Sequence, residues 1–531
     1  MHHNSGPFTI ADIRDFVPNK VKPWVLFAFF IIYQFSGGIY MAAVAEMSGS
    51  LALMHEDILM AGYASLVGLG LTFTIMLRLK FRFATKTSLI TSAAGLIVCN
   101  LIAMHTHSVP LLVAVCFVAG FFRMWGTFAC NSTIQLWVTP KRDMSVWFVY
   151  IQVCVQSFIY LTGLASIYIS FLTKWEYMHW LIIGALLSLI LFTFISFRHY
   201  RHMPKLPLFG IDWMGALLWA TTILSVIFVL NYGEHFDWYQ STEIWMGTVF
   251  GLTALALNVW RASFVRHPYI ANNTWGFRHV WLTFLLFIVV DILNSPSGFF
   301  ERTYTEVILG YDALNLISLN WFVLLGTAIG AFFSYQAFAL RKWKFKTMTL
   351  IGFSLLVSYL LIMYFIIDYN LPKEMLFLPI LLRGMAYIII AITFITALTD
   401  VPFSNFWQSL TVQSFISACC GALVGEAFLK QVFKLTMKKN EMMLGANLDK
   451  VNPLTSNIPL DTLFGKLQQH AIIISIKEIY GWLCIAGVLC LLTFLLRESS
   501  LRPKSLHPKF STLRHTIKHE LKMNKLLKED I

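Results

Sequence analysis

Fourteen apolar runs of about 20 residues fill most of this 531-residue chain and leave few folds open to it. They lie at about 24–45, 57–77, 86–104, 109–130, 146–172, 177–197, 213–232, 243–260, 279–300, 313–339, 347–367, 375–398, 406–429 and 478–496. A helix of about 20 residues crosses the ~30 Å hydrocarbon core of a bilayer. Backbone in lipid has to satisfy its own hydrogen bonds, so each run is expected to be a helix. Composition agrees, with 57% hydrophobic and 13% charged residues, against roughly 25% charged for an average soluble protein. The expected fold class is an all-α polytopic membrane protein with 14 transmembrane helices.

The net charge of +13 is not the footprint of nucleic-acid binding, because Lys and Arg fall mainly in short gaps between apolar runs and in the tail. With the N-terminus inside, the inner segments carry Arg14/Lys20/Lys22, Arg78/Lys80/Arg82/Lys86, Lys141/Arg142, Arg198/Arg201/Lys205, Arg261/Arg266/Arg278 and Arg341/Lys342/Lys344/Lys346. Short outer loops hold Glu46/Glu56/Asp57, Glu234/Asp237/Glu243 and Glu306/Asp312. This alternation follows the positive-inside rule and places both termini in the cytoplasm. The run before Ala43-Val44-Ala45 is too long for an ordinary signal h-region, so the first helix is expected to be retained. Segment 430–476, with mixed charge, Asn452-Pro453 and Pro459, reads as an extramembrane excursion on the outer side. Residues 1–23 read as a cytoplasmic segment. The tail, 498–531, reads as a solvated basic segment near anionic lipid. All eight cysteines lie in apolar runs without metal or CxxC spacing, and imply no disulfide framework.

The sequence has no GxSxG elbow, Walker GxxxxGK, HExxH or EF-hand loop. Nothing points to an enzyme, a cofactor or a metal site. His199 and His202 read as solvated loop histidines. Without an ATP site, any solute movement has to be driven by a gradient.

Several stretches carry a resemblance. Gly120-Phe121-Phe122-Arg123-Met124-Trp125-Gly126 in the fourth run is similar to a helix-four motif with Arg followed by Gly three residues on, and Arg82-Phe83-Ala84-Thr85-Lys86 looks like the basic half of a second-to-third loop motif. Trp175-Glu176-Tyr177-Met178-His179-Trp180 is a Trp-rich helix entry. Phe209-Gly210-Ile211-Asp212-Trp213-Met214-Gly215, with Gly233-Glu234-His235-Phe236-Asp237-Trp238 after the next run, is the most specific. Together these resemble the fourteen-helix drug:proton antiporter family of the major facilitator superfamily, over roughly 20–497. The resemblance implies a six-helix half at 24–197, two inserted central helices with basic loops at 198–278, and a second six-helix half at 279–497. It also implies alternating access around a midplane site between the halves. The family's acidic residue in the first span falls on Gly38. One internal echo is visible: Arg123 with Gly126 in the fourth run, and Arg383-Gly384 in the twelfth.

Ionisable residues inside a membrane cost ~2.5–3.5 kcal/mol on insertion scales and are candidate functional groups. Arg123 lies deep in the fourth run, as partner for a carboxylate or anionic substrate, or as interhelical glue. Asp291 sits near the middle of the ninth, with Asn294 and Ser295 on its helical face. Pro296 cannot donate its N–H, which frees the Ile292 carbonyl and bends the helix. A carboxylate beside a broken polar turn suits an ion site, so Asp291 leads the proton-coupling candidates, with Arg123, Glu301 and Glu426 beside it. The bland readings are a structural Asp291, a Glu301–Arg302 pair in water, and an exposed Glu426–Lys430 pair at i,i+4. Asp212 opens an inserted helix and reads as structural. Asp400, before Val401-Pro402, is expected to end the twelfth span. Tyr33, Trp125, Tyr160, Asn294, Trp321 and Tyr387 lie centrally in their runs and are candidates for a substrate cavity; the alternative for each aromatic is plain packing or lipid contact.

The expected function is a secondary transporter, read as a proton-coupled exporter of amphipathic small molecules in a bacterial inner membrane. Its partners would be substrate, protons and the bilayer; the resemblance adds a periplasmic adaptor and an outer-membrane channel. Uptake or exchange of a specific solute, and a transporter-like sensor, are the alternatives. The topology has a direct check. A reporter fused after Lys439 should be active only on the outer side and one after Lys342 only on the inner side; inversion at either position breaks the fourteen-span count.

Overall fold

Apolar runs that cannot expose backbone to lipid become helices throughout. The structure, a computed structural model, describes residues 12–37, 41–140, 143–200, 205–417, 421–446, 448 and 459–496. Its first nine helices are α1 (Lys22–Phe35), α2 (Val44–Leu51), α3 (His55–Arg82), α4 (Thr85–His105), α5 (Val109–Val138), α6 (Met144–Leu172), α7 (Glu176–Ser196), α8 (Trp213–Tyr232) and α9 (Thr242–Ala262). Then follow α10 (Arg278–Asn294), α11 (Pro296–Thr303), α12 (Ala313–Ile317), α13 (Asn320–Ser334), α14 (Phe345–Ile366), α15 (Phe377–Ala397), α16 (Phe403–Phe415), α17 (Gly421–Gly445) and α18 (Leu460–Leu496). Among the described residues, 12 helical stretches are long and apolar enough to cross a membrane, and each coincides with an expected span. The first expected span falls on α1, only 14 residues long, and the thirteenth on α16 and α17. The helix break expected at Pro296 is present, between α10 and α11.

The segment read as an outer loop, 430–476, is helical over much of its length. α17 runs on to Gly445, and α18 begins well before the apolar run that marks it. The two helices are clipped together by the Asn440 amide donating to Ser475 Oγ at 2.9 Å and by Lys439–Glu478 at 2.7 Å. Hydropathy alone misses this because the charged outer turns pair with each other instead of burying apolar surface. The basic tail, Gly38, Lys141, Arg142, His202, Cys419, Cys420 and Asn452-Pro453 lie outside the described residues.

Each half has its own core. Leu26, Phe30, Tyr33, Leu89, Leu96, Leu112 and Leu186 are fully buried in the first half. Phe353, Tyr359, Leu360, Ile390, Ile476 and Tyr480 are fully buried in the second. The inserted helices attach to α3, where Ile223 and Ile227 of α8 pack with Leu71, Ile75 and Leu79. Asp212 is structural, as expected: it accepts from Gly215 N at 2.9 Å to cap α8, pairs with Arg261 of α9 at 2.6 Å, and accepts from Tyr269 N. At the other end of α8, Tyr232 donates to Asp57 Oδ1 at 2.5 Å and Asn231 donates to the Glu56 carbonyl at 2.7 Å. The outer face of α9, with Trp245, Met246, Phe250, Leu252 and Trp260, is exposed and apolar, as a face turned to lipid would be.

Glycine sets the closest helix contacts, and sets them twice. A Cβ at Gly68 would collide with the Phe117 carbonyl oxygen, and one at Gly120 with that of Ser65, so α3 and α5 touch backbone to backbone. The same pair of contacts recurs in the second half, Gly326 against the Leu381 carbonyl and Gly384 against that of Val323, between α13 and α15. Phe117 thus corresponds to Leu381 and Gly120 to Gly384. In that register the counterpart of Arg123 is Tyr387, and Arg383 answers to Ala119. The Arg–Gly echo in the sequence therefore joins equivalent helices but not equivalent positions. Gly126 has a different task from Gly384: it makes room for the Tyr33 ring.

These contacts have a measurable cost when filled. Gly120→Ala pushes a methyl group into the Ser65 carbonyl, whereas a Cβ at Gly184 would meet nothing within 4 Å. Thermal unfolding in detergent should show Gly120→Ala losing roughly 1–3 kcal/mol. Gly184→Ala should match or exceed wild type, alanine being the better helix former by ~1 kcal/mol. Equal effects would rule out close approach as the reason for glycine at 120.

Candidate transport cavity

Between the two halves lies a cavity of about 1340 Å³. The first half lines it with α1, α3, α5 and α6; the second lines it with α10, α15, α16 and the start of α13. Arg123, midway along α5, donates through Nη2 to Gln34 Oε1 at 3.2 Å, and Gln34 Nε2 donates to Thr127 Oγ1 at 3.2 Å. Thr127 stands one helical turn beyond Arg123, so the three residues brace one another across the α1–α5 contact. Tyr160, Asn294 and Tyr387 also line the cavity. Sequence position therefore brings Arg123 together with three of the six cavity candidates.

The other three lie away from it. Tyr33 is buried behind the lining, its hydroxyl donating to the Leu89 carbonyl at 2.8 Å and lying 2.9 Å from Ser92 Oγ. Trp125 packs among Phe83, Phe121 and Phe122. Trp321 is 51% exposed on the outside of the bundle. Each stands one or two residues from a lining residue: Gln34, Arg123 and Asn320. One residue turns a helix by roughly 100°, so a central position in the run does not select the face. Sequence reasoning missed the amides. Gln152, Gln156, Asn320 and Gln413 line the cavity, and a count of Asn and Gln inside the runs would have flagged them.

Asp291 does not line the cavity, although Asn294 one turn on does. It is buried against α17, where a Cβ at Gly421 would collide with Oδ2, and that oxygen has no hydrogen-bond partner. Gly425, one turn later, receives Ser295 in the same way. The carbonyl freed by Pro296 is not left bare, since Ser295 Oγ donates to Ile292 O at 2.7 Å.

Glu301 departs from its expected pairing in water. Arg302 pairs with Glu306 at 2.8 Å on the surface, while Glu301 turns inward. Its Oε2 accepts from Arg383 Nη1 at 2.6 Å and its Oε1 from the Tyr359 hydroxyl at 2.6 Å. The Tyr480 hydroxyl lies 3.5 Å from that of Tyr359. With side-chain exposures of 9% for Arg383 and 15% for Glu301, this is a desolvated ion pair bonded at both carboxylate oxygens. Glu426 forms the expected i,i+4 pair with Lys430, at 2.9 Å.

The halves also meet directly. A Cβ added at Gly163 of α6 would come within ordinary contact distance of Ile317 and Asn320 of the second half, beside Ala42 of the first. Toward the other end of α6, Lys342 of the second half pairs with Asp143 and donates to Ser145 Oγ at 2.7 Å. Burial pushes the Asp143 carboxyl up, but the bonds from Lys342 and Ser145 outweigh it and hold it below its ordinary value. A depressed carboxyl keeps such a pair intact above the usual carboxylate range and loses it only as pH falls through the lowered value. This bridge therefore stays formed at neutral pH.

No protein-family model matches the sequence, and no curated protein sequence matches it. Solved structures do resemble it. One, from work on proton-dependent oligopeptide transporters, aligns with a TM-score of 0.56 at 10% identity, over 90% of this chain and 97% of the other. A mutant of the peptide transporter POT in complex with alafosfalin aligns with a TM-score of 0.53 at 12% identity, over 91% and 98%. The chain has a major-facilitator-type fold. At these identities the likeness is one of fold.

The Glu301–Arg383 pair yields a test. Removing one partner strands a buried charge, a loss of about 3–5 kcal/mol, whereas replacing both with apolar groups is often near neutral. Glu301→Leu and Arg383→Leu should each lower stability in detergent, and the double variant should recover most of that loss. Additive losses would mean the two charges are not coupled.

Proposed function

We propose that the protein is a secondary transporter that exports amphipathic small molecules by alternating access, driven by protons entering in exchange. The observation that carries this reading is the cavity lined by polar side chains from both halves. When two rigid halves rock about such a site, the same residues face either side of the membrane in turn. The fold is shared with structures described as peptide transporters. The outward direction and the bacterial inner membrane, with both termini cytoplasmic, rest on the basic loops and the antiporter-like motifs, as does the expectation of a periplasmic adaptor and outer-membrane channel.

Asp291 is our choice for the coupling residue. A buried carboxylate oxygen without a hydrogen-bond partner carries a desolvation cost that a bound proton removes. Its unpartnered oxygen meets that condition, and Asn294 links its helix face to the cavity. Glu301, already paired with Arg383, is the second choice. Opening to the outer side would hydrate Asp291 and load it, and opening inward would let it discharge.

Proteoliposomes test both parts, using a panel of amphipathic cations, neutral compounds and anions. Wild type should show counterflow of at least one compound, and uphill movement of it under an imposed pH gradient. Asp291→Asn, which cannot cycle a proton, should lose the uphill movement and keep counterflow; Asp291→Glu should keep partial coupling with a shifted pH optimum. Absence of any counterflow overturns the transporter reading. Uphill movement by Asp291→Asn makes Asp291 structural and shifts the role to Glu301.

A further inference from the structure

Building on the transporter reading, we propose that the cavity selects amphipathic organic monoanions. The acid group is received by Arg123, neighbouring hydrogen-bonding groups by Gln413 and Asn131, and the apolar body by aromatic side chains toward the Lys80 end.

Charge comes first. Among the described residues lining the cavity, the charged ones are Arg123 at mid-depth and Lys80 and Asp12 toward one end, so the mid-depth lining carries a cation and no carboxylate. Gln34, a neutral amide, orients the guanidinium. A solute cation at that depth would meet like charge in a poorly screened site, while a carboxylate or sulfonate would accept the planar donor fork of Arg123.

Unmet hydrogen bonds come second. Gln413 of α16 is 2% exposed, lines the cavity, and has neither its Oε1 nor its Nε2 bonded to any protein group. Asn131 of α5, 7% exposed, lines it too, with Oδ1 unbonded. A buried amide left unpaired costs about 1–3 kcal/mol, a penalty that a solute in the cavity relieves. The two amides stand on opposite halves, so a solute bonded to both would also join the halves.

The apolar walls come third. Phe128 of α5 meets Trp407 of α16 at 5.5 Å between ring centroids, and Phe148 of α6 meets Phe406 of α16 at 6.4 Å. All four line the cavity on the side of Gln413 away from Asn320. Aromatic faces of this kind hold a flat apolar body beside a fixed polar head.

The test uses three compounds that share a ring and differ in charge: naphthalene-1-sulfonate, naphthalene-1-methanol and (naphthalen-1-ylmethyl)trimethylammonium. Affinity is read on the full chain in neutral detergent by isothermal titration, and counterflow in phosphatidylcholine vesicles. The sulfonate should bind about tenfold or more tightly than the cation, the scale of one charge-assisted hydrogen bond. Arg123→Gln should reduce that preference to less than about threefold, and Arg123→Lys should retain it with weaker binding. Gln413→Leu should weaken the sulfonate and the alcohol and leave the trimethylammonium compound, which has no hydrogen-bonding group, unchanged. The proposal fails if the sulfonate does not bind, if the cation binds as tightly, or if Arg123→Gln leaves the preference intact in a folded, monodisperse sample. Selective sulfonate binding with no counterflow of any compound would uphold the site and overturn the transporter reading. Counterflow of the cation alone would do the reverse.

Discussion

Hydrocarbon offers no hydrogen-bond partner, and most of this architecture is arranged around that deficit. A polar atom carried into the bilayer is costly unless it finds a protein partner. Tyr33 finds the Leu89 carbonyl, Ser295 the carbonyl that Pro296 frees, and Glu301 both Arg383 and Tyr359. Asp212 satisfies a helix end, an arginine and a loop amide at once, which is how α8 and α9 are held as a unit. Among the described residues, the atoms left without a bond include those of Gln413, Asn131 and Asn294 on the cavity wall and Asp291 one turn away. Part of the unmet polarity thus lies on the cavity wall, within reach of a solute.

The contacts within the halves differ in kind from those between them. Inside each half, glycine lets two helices touch backbone to backbone, a contact with no side chain to rearrange. Between the halves the contacts are of another kind: a Thr74–Thr411 hydroxyl pair at 2.7 Å, the Lys342–Asp143 bridge, and the Phe128 and Trp407 rings packed edge to face.

The two carboxylates of the ninth span show how much their environments can differ over three helical turns. Glu301 is surrounded by a guanidinium and a phenol, and the desolvation of that pair is offset by bonds at both carboxylate oxygens. Asp291 is packed against the glycine face of α17, where no donor reaches Oδ2. The first arrangement fixes a charge in place. The second leaves a carboxyl whose charge state the protein does not stabilise by pairing, which is why Asp291 is proposed ahead of Glu301 for proton coupling.

Much was legible before any tertiary information. Apolar run length marked where helices lie, Pro296 marked the break in the ninth span, and Asp212 marked the start of an inserted helix, because each is a local property of the chain. The i,i+4 pair of Glu426 and Lys430 is equally local. Azimuth was not legible. Gln34 faces the cavity and Tyr33 the core, Arg123 the cavity and Trp125 an aromatic cluster, Arg302 the surface and Glu301 a buried arginine. Neighbours in sequence lie roughly 100° apart on a helix, and hydropathy reports depth in the membrane, not direction. Length and polarity of each run therefore determined that this chain spans a bilayer many times. Which side chains meet at its centre was decided only by the packing of distant helices, through glycine contacts whose partners lie tens of residues away.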